Sequence, residues 1–252
     1  MDELVRKAAL AIMGSANCIA LTGAGISVES GIPDFRSAGG LWSKYDPMEY
    51  AHITAFQRNP EKIWRMIFDL LDLTRSARPN PAHQALAALE CMNYLKSIVT
   101  QNIDNLHQAA GNENVIEFHG NAHRLECLEC GARYDINEFE LAGVPPACRS
   151  CGTILKPSVV FFGEMIPHDA LVNAQILAQN ADAILVIGTS AVVYPASGIP
   201  YIARDHGAVV IEMNIEETEL TGSITDIFIQ GPVGETLPAL LAMIEMESKK
   251  KS

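Results

Sequence analysis

The chain is short of charge and of rings: 19% of its 252 residues are Asp, Glu, Lys or Arg, and 6% are Phe, Trp or Tyr. Scarce charge beside 48% apolar residues excludes a disordered chain and points to a globular one with a sizeable core. Basic residues are the scarcer sign, 18 Lys and Arg against 30 Asp and Glu, for a formal charge of −12. That balance argues against a nucleic-acid surface, which needs a basic stripe, and is compatible with a positively charged partner such as a Lys-rich protein tail. Internal repeats and low-complexity blocks are absent. The start, Met1-Asp-Glu-Leu-Val-Arg, lacks the apolar core of a secretory signal. One uncharged stretch, 183–203, is long enough for a bilayer, but Thr189, Ser190, Ser197 and Gly198 break its apolarity and Pro195 and Pro200 interrupt it. It reads as a buried strand followed by a polar loop. The expectation is a soluble, cytoplasmic protein with no membrane partner.

What is present is a series of short apolar runs spaced by helix-like segments, the pattern of an α/β parallel sheet. Strands are expected over 19–21, 97–100, 115–118, 158–162, 183–187 and 208–213, and helices over 81–92 (capped by Asn80), 169–179, 196–204 and 235–247. Two stretches leave this alternation. Residues 37–80 hold a helix over 60–75 and no convincing strand, and residues 121–156 hold four cysteines and little apolar material. The expected organisation is a Rossmann-like sheet domain from 1–36, 81–120 and 157–252, with a helical insertion (37–80) and a zinc-binding module (121–156) forming a smaller domain.

Cysteine is scarce too, at six residues, yet four are arranged as Cys127-x2-Cys130-x17-Cys148-x2-Cys151. Two such knuckles can supply four thiolates tetrahedrally to zinc. Disulfides are disfavoured in a reducing compartment. Four protein ligands leave no position for water, so the metal would be structural. Cys18 and Cys91 read as small core residues.

The first strand ends in Thr22-Gly-Ala-Gly-Ile-Ser-Val, a glycine loop that could cradle a phosphate, but Val28 stands where the third glycine of the dinucleotide fingerprint belongs. A hydride-transferring oxidoreductase is disfavoured for that reason, and because no acidic strand end follows at the usual distance. Past the other strands come Gln101-Asn102-Ile103-Asp104, His119-Gly120, Gly188-Thr189-Ser190 and Asn214-Ile215-Glu216. Singly, such residues cap helices or form turns. Together they present a glycine loop, an amide and carboxylate set suited to a carboxamide ligand, and an imidazole able to take a proton from a sugar hydroxyl. Residue types and spacing reach a nucleotide-using enzyme with a structural zinc knuckle, and stop there. A zinc-ribbon module gripping nucleic acid is the other class; the acidic charge and the few basic residues near the knuckles (Arg124, Arg133, Arg149) count against it.

Gly23-Ala-Gly-Ile-Ser, Gly31-Ile-Pro-Asp-Phe-Arg, Thr100-Gln-Asn-Ile-Asp, His119-Gly, the Cys quartet, Phe162-Gly-Glu and Gly188-Thr-Ser occur in one chain and in that order. The sequence thereby resembles the sirtuin family of NAD-dependent protein lysine deacylases, in its bacterial and archaeal single-domain form. The resemblance implies that Gly23, Ala24, Gly25, Glu29, Asp34, Phe35 and Arg36 hold the NAD pyrophosphate side, with Phe35 shielding the reacting ribose. It implies that Gln101, Asn102, Ile103 and Asp104 line the ribose and nicotinamide region. Gly188, Thr189, Ser190, Asn214, Ile215, Glu216 and Val233 would surround the adenosine half. His119, with Asn102, would be catalytic, activating a ribose hydroxyl after nicotinamide leaves, so that the acyl group ends on ADP-ribose. An acyl-lysine peptide would pair as a strand between Val160, Phe161, Phe162, Gly163 and Glu164 on one side and Val192, Val193 and Tyr194 on the other. Members preferring succinyl or malonyl lysine carry a Tyr-x-x-Arg pair; alignment puts Ile67 and Leu70 there, so a carboxylate would be buried unpaired. Acetyl and longer apolar acyl groups are therefore expected over acidic ones. Mono-ADP-ribosyl transfer from the same NAD site is the alternative activity.

Overall fold

Apolar runs short enough for strands pair in parallel at the centre of the molecule, described in a computed structural model over residues 2–141 and 143–251. Strands β1 (Cys18–Thr22), β2 (Ser97–Thr100) and β3 (Val115–Glu117) lie to one side; β7 (Ala183–Ile187), β8 (Val209–Asn214) and β9 (Ile227–Gln230) lie to the other. The order is β3-β2-β1-β7-β8-β9, every pair parallel. Every residue of β1 and β7 is buried, as a sheet covered on both faces requires. Helices Asp2–Gly14, Pro81–Cys91 and Val233–Lys251 cover one face through Val5, Ile12, Leu86, Leu89, Leu237 and Ile244. Helices His168–Gln179 and Ile199–Asp205 cover the other through Ala174, Ala178, Ile199 and Ala203. The uncharged stretch 183–203 is β7, a loop and part of a helix, and no helix among the described residues is long and apolar enough to cross a membrane.

Beside this sheet stands a three-stranded antiparallel one, order β5-β4-β6, from β4 (Gly120–Glu126), β5 (Arg133–Asp135) and β6 (Lys156–Val159). The run over 158–162, expected in the parallel sheet, begins inside β6 and belongs here: Asn121 pairs with Ser158 and Gly120 with Val159. A Cβ on Gly120 (φ +78) would sit 1.9 Å from the Ser158 carbonyl oxygen, so only glycine allows this closeness. Helix Pro60–Ser76, capped by Asn59, which accepts from the Lys62 N–H, packs Ile63, Trp64 and Met66 against Leu125, Leu155 and Val159 of the small sheet region. The Trp64 indole donates to the Leu155 carbonyl at 2.8 Å. Cys18 is buried as expected, its thiol pushed up to about 12 mainly by burial, whereas Cys91 is exposed at the end of its helix.

Candidate active site

The chain runs outward from β1 in both directions across the sheet, so the ends of β1 and β7 form the switch point where open α/β sheets bind ligands. Here the glycine loop meets the loop after β7. The Gly23 N–H donates to the Ile187 carbonyl at 3.0 Å and the Gly25 N–H to the Gly188 carbonyl at 2.8 Å. A Cβ on Gly25 would lie 2.7–2.8 Å from Gly188 backbone atoms. The glycines therefore let two strand-end loops touch, and the cavity forms in front of that contact.

That cavity, about 1390 Å³, runs from the glycine loop across the strand ends to the small region. It exceeds the roughly 300–1,000 Å³ typical of a single small-molecule site, so there is room for two ligands side by side. Among the residues expected from the sequence, it brings together the glycine loop, Asp34–Arg36, Gln101–Asp104, His119, both substrate segments, Gly188–Ser190, Asn214–Glu216 and Val233. Glu29 is the exception. It lies outside the lining, and its carboxylate accepts the Gly234 N–H at 2.9 Å, tying the 3-10 turn Ala24–Ser30 to the last helix.

The imidazole of His119 is half-buried, and its Nδ1 lies 3.1 Å from the Gln101 carbonyl oxygen. A carbonyl only accepts, so Nδ1 carries the proton and Nε2 keeps its lone pair. Burial pulls the His119 pKa below that of an ordinary histidine, partly offset by this hydrogen bond. A neutral base is the outcome. Asn102 spends its Nδ2 on the Gly23 carbonyl and the Ser27 hydroxyl, each at 3.1 Å, leaving Oδ1 to accept. Asp104 accepts from the Ser27 hydroxyl at 2.7 Å and the Leu106 N–H at 2.9 Å. Ser27, missed as a site residue, thus joins the amide to the carboxylate; only its place after the glycine loop hinted at it. Behind them, Thr22 links Thr100 to the buried His107 at 2.9 Å on each side.

Arg36 supplies a cation at the mouth, its guanidinium 3.5 Å from the Ser190 hydroxyl, and Asp34 braces that loop by accepting the Arg36 and Ser37 N–H groups. The Phe35 ring packs on Trp42 with centroids 5.2 Å apart, and Trp42 on Phe162 at 6.4 Å. Phe162 already uses both backbone groups: its N–H donates to Ala51 and its carbonyl accepts from Ile53. Phe161 is engaged as well, its N–H by the Glu164 carboxylate and its carbonyl by the Glu164 N–H, so an incoming strand would have to pair elsewhere along 160–164. Ile67 and Leu70 line the same cavity, with Met66 and Leu71 beside them, giving it an apolar arm along helix Pro60–Ser76.

The four cysteine thiols are free, and their sulfurs all lie within 4.8 Å of one another. Zinc–sulfur bonds of about 2.3 Å in a tetrahedron require sulfurs about 3.8 Å apart. The Cys127–Cys151 and Cys130–Cys148 sulfur pairs stand at 3.4 and 3.6 Å, close to that spacing and far beyond a disulfide bond. Each knuckle turns back on itself, the Gly131 N–H to the Cys127 carbonyl and the Gly152 N–H to the Cys148 carbonyl. The quartet fits zinc, with no ligand position left over. Of the nearby basic residues, Arg124 pairs with Glu117, and Arg149 pairs with Glu138 at 2.8 Å while lying over the Phe139 ring.

The sequence profile of the Sir2 family matches residues 23–195. A protein of Pyrobaculum aerophilum named NAD-dependent protein deacylase 2 is 46% identical over 93% of each chain. Among solved structures, a Sir2 homologue in complex with NAD superposes with a TM-score of 0.90 at 42% identity, covering 96% of this chain and 94% of that one. A Sir2 protein bound to a myristoylated histone peptide does so with a TM-score of 0.85 at 39% identity, covering 99% and 100%.

Proposed function

The chain belongs to the Sir2 family, the sirtuins, and from that premise we infer that it is an NAD-dependent protein deacylase acting on acyl-lysine side chains, with His119 as its base. NAD, when bound, supplies an electrophilic ribose carbon with nicotinamide as leaving group. The observation that carries the reading is the His119 imidazole, oriented by the Gln101 carbonyl, on the wall of a cavity large enough for two substrates. With NAD bound, His119 Nε2 would take the proton of a ribose hydroxyl, freeing that oxygen to attack the acyl carbon. Asn102, with Nδ2 fixed, offers Oδ1 toward the nicotinamide side, and Asp104 keeps Ser27 and Asn102 in place. Arg36 would partner the pyrophosphate charge, and Phe35 would close the ribose side. Zinc is held by Cys127, Cys130, Cys148 and Cys151 and stays out of the chemistry.

Deacylation rather than mono-ADP-ribosyl transfer is the activity in the relatives' names. The finer preferences rest on this chain's own residues. The formal charge of −12 supports basic segments around the modified lysine. The apolar arm at Ile67 and Leu70 supports acetyl and longer apolar acyl groups. Incubation with NAD and acetyl-lysine, succinyl-lysine or unmodified peptide tests both levels. Nicotinamide release that needs the acyl group, and is faster with acetyl than with succinyl, is expected. Release indifferent to acylation would contradict the deacylase reading, and faster succinyl turnover would contradict the acyl preference.

A further inference from the structure

Lys156 in β6 is 1% exposed, a burial that lysine does not tolerate without partners. Its ammonium lies 2.8 Å from the Val159 carbonyl and 3.0 Å from the Pro157 carbonyl. It also lies 3.1 Å from one carboxylate oxygen each of Glu126 and Glu164, with the Phe161 ring 4.9 Å away. One cation thus serves two carboxylates on different elements. Glu126 immediately precedes the zinc ligand Cys127 at the end of β4. Glu164 closes a turn at the cavity wall: its carboxylate accepts the Phe161 N–H at 2.8 Å, and its own N–H donates to the Phe161 carbonyl at 3.0 Å. Lys156 itself is not part of the cavity lining, whereas Phe161, Phe162, Gly163 and Glu164 are.

We propose that Lys156 is a positioning residue for the acyl-lysine peptide, pinning the turn 161–164 to the strand that carries the first zinc knuckle. The proposal rests on the deacylase reading. Without the ammonium, two carboxylates face each other across an empty site, Glu164 swings toward solvent, and the Phe161 N–H loses its acceptor. The peptide-binding edge then loses its register. The cofactor side is built on the ends of β1, β2, β7 and β8, and none of the four oxygens around the ammonium belongs to it, so it should keep its shape. A purely stabilising lysine would act differently, lowering the melting temperature while leaving both ligands equally affected in the folded fraction.

The test compares zinc-loaded wild type, Lys156→Met, Lys156→Arg and Glu164→Gln. Affinity for a fluorescent acetyl-lysine peptide is read by anisotropy, and affinity for ADP-ribose by calorimetry. Lys156→Met should weaken peptide binding about tenfold or more, the scale of a lost charged hydrogen bond. ADP-ribose affinity should stay within about twofold, as expected of a site sharing no partners with the change. Lys156→Arg should recover most of the peptide affinity. Glu164→Gln should fall between, because its amide oxygen can still accept the Phe161 N–H. Unchanged peptide affinity in a folded Lys156→Met protein, or equal weakening of both ligands, would overturn the proposal. If Lys156→Met fails to fold, Glu164→Gln decides, and wild-type peptide affinity there would overturn it. If wild type binds ADP-ribose but no acetyl peptide, the deacylase reading itself fails and this proposal falls with it.

Discussion

Strands β1 and β7 bury all of their residues between two helical layers, whereas β4 and β5 leave Arg124, Arg133 and Asp135 exposed. The parallel sheet is held by many interchangeable apolar contacts on both faces. The small sheet has an apolar cluster of its own and adds to it a few specific devices: the thiol quartet, the Trp64 indole on Leu155, and the Lys156 ammonium. The difference has a functional use. Polar groups at the ends of a rigid parallel sheet can be kept in place through chemistry, while on the proposed function the smaller region would carry the edge that admits a peptide. It also predicts how each side breaks: the sheet side should lose function without losing structure, and the small side should lose structure first.

The largest effect should follow removal of the metal. Structural zinc contributes roughly 10–16 kcal/mol in small zinc-dependent folds, so Cys127→Ala should abolish stoichiometric zinc and expose 121–156 to limited proteolysis. Retention of the parallel sheet by circular dichroism would sharpen the contrast; a protease-resistant 121–156 in the metal-free protein would break it. Next in size is His119→Ala, for which the loss of a general base lowers turnover by about 10²–10⁴-fold. Thermal unfolding should be unchanged, and a large drop in melting temperature would show that His119 serves the fold as well. Trp64→Ala follows, with an expected cost of about 3–5 kcal/mol in urea melts from the cavity it leaves. A cost near zero would show that the helix Pro60–Ser76 is only loosely tied to the small sheet.

The smallest effect belongs to pH and to the sheet side. His83 and His107 are fully buried and are pushed down to about 4 and about 3, chiefly by burial. Asp104 partly offsets this at His83, and His83 adds to it at His107. Below the free-histidine value of about 6.5 the unfolded chain binds protons that the folded chain refuses, so stability rises with pH up to about 6.5 and is level above it. Urea melts at about pH 5 and about pH 7.5 should show the difference, and His107→Gln should flatten it. An unaltered slope in that variant would assign the acid sensitivity elsewhere. For turnover, the lowered His119 value keeps the base neutral further into acid than a free histidine, so the acid limb of the rate should lie below about pH 6.5.

The parallel strands were legible because burial on both faces leaves a continuous apolar run, and their polar ends were legible because the run stops there. The same signal misplaced 158–162, since an apolar run does not say which sheet it joins; the Gly120 contact with Ser158 does, and it is a tertiary fact. Strand β9, with Phe228 and Gln230 turned away from the core, gives a weaker pattern, and it was missed. At the site, the resemblance puts Glu29 among the cofactor residues, but a 3-10 turn faces Glu29 toward Gly234 and brings Ser27 inward to Asp104. The cysteine quartet was fully legible because metal geometry dictates spacing within the chain. Lys156 was invisible as more than a basic residue, since its two carboxylate partners, Glu126 and Glu164, are distant in the sequence.

The fate of the acyl group tests the whole account most directly. Wild-type protein incubated with NAD and an acetyl-lysine peptide, with products resolved by mass spectrometry, should release nicotinamide and acetylated ADP-ribose in equal amounts. Free acetate formed with NAD left intact would contradict it.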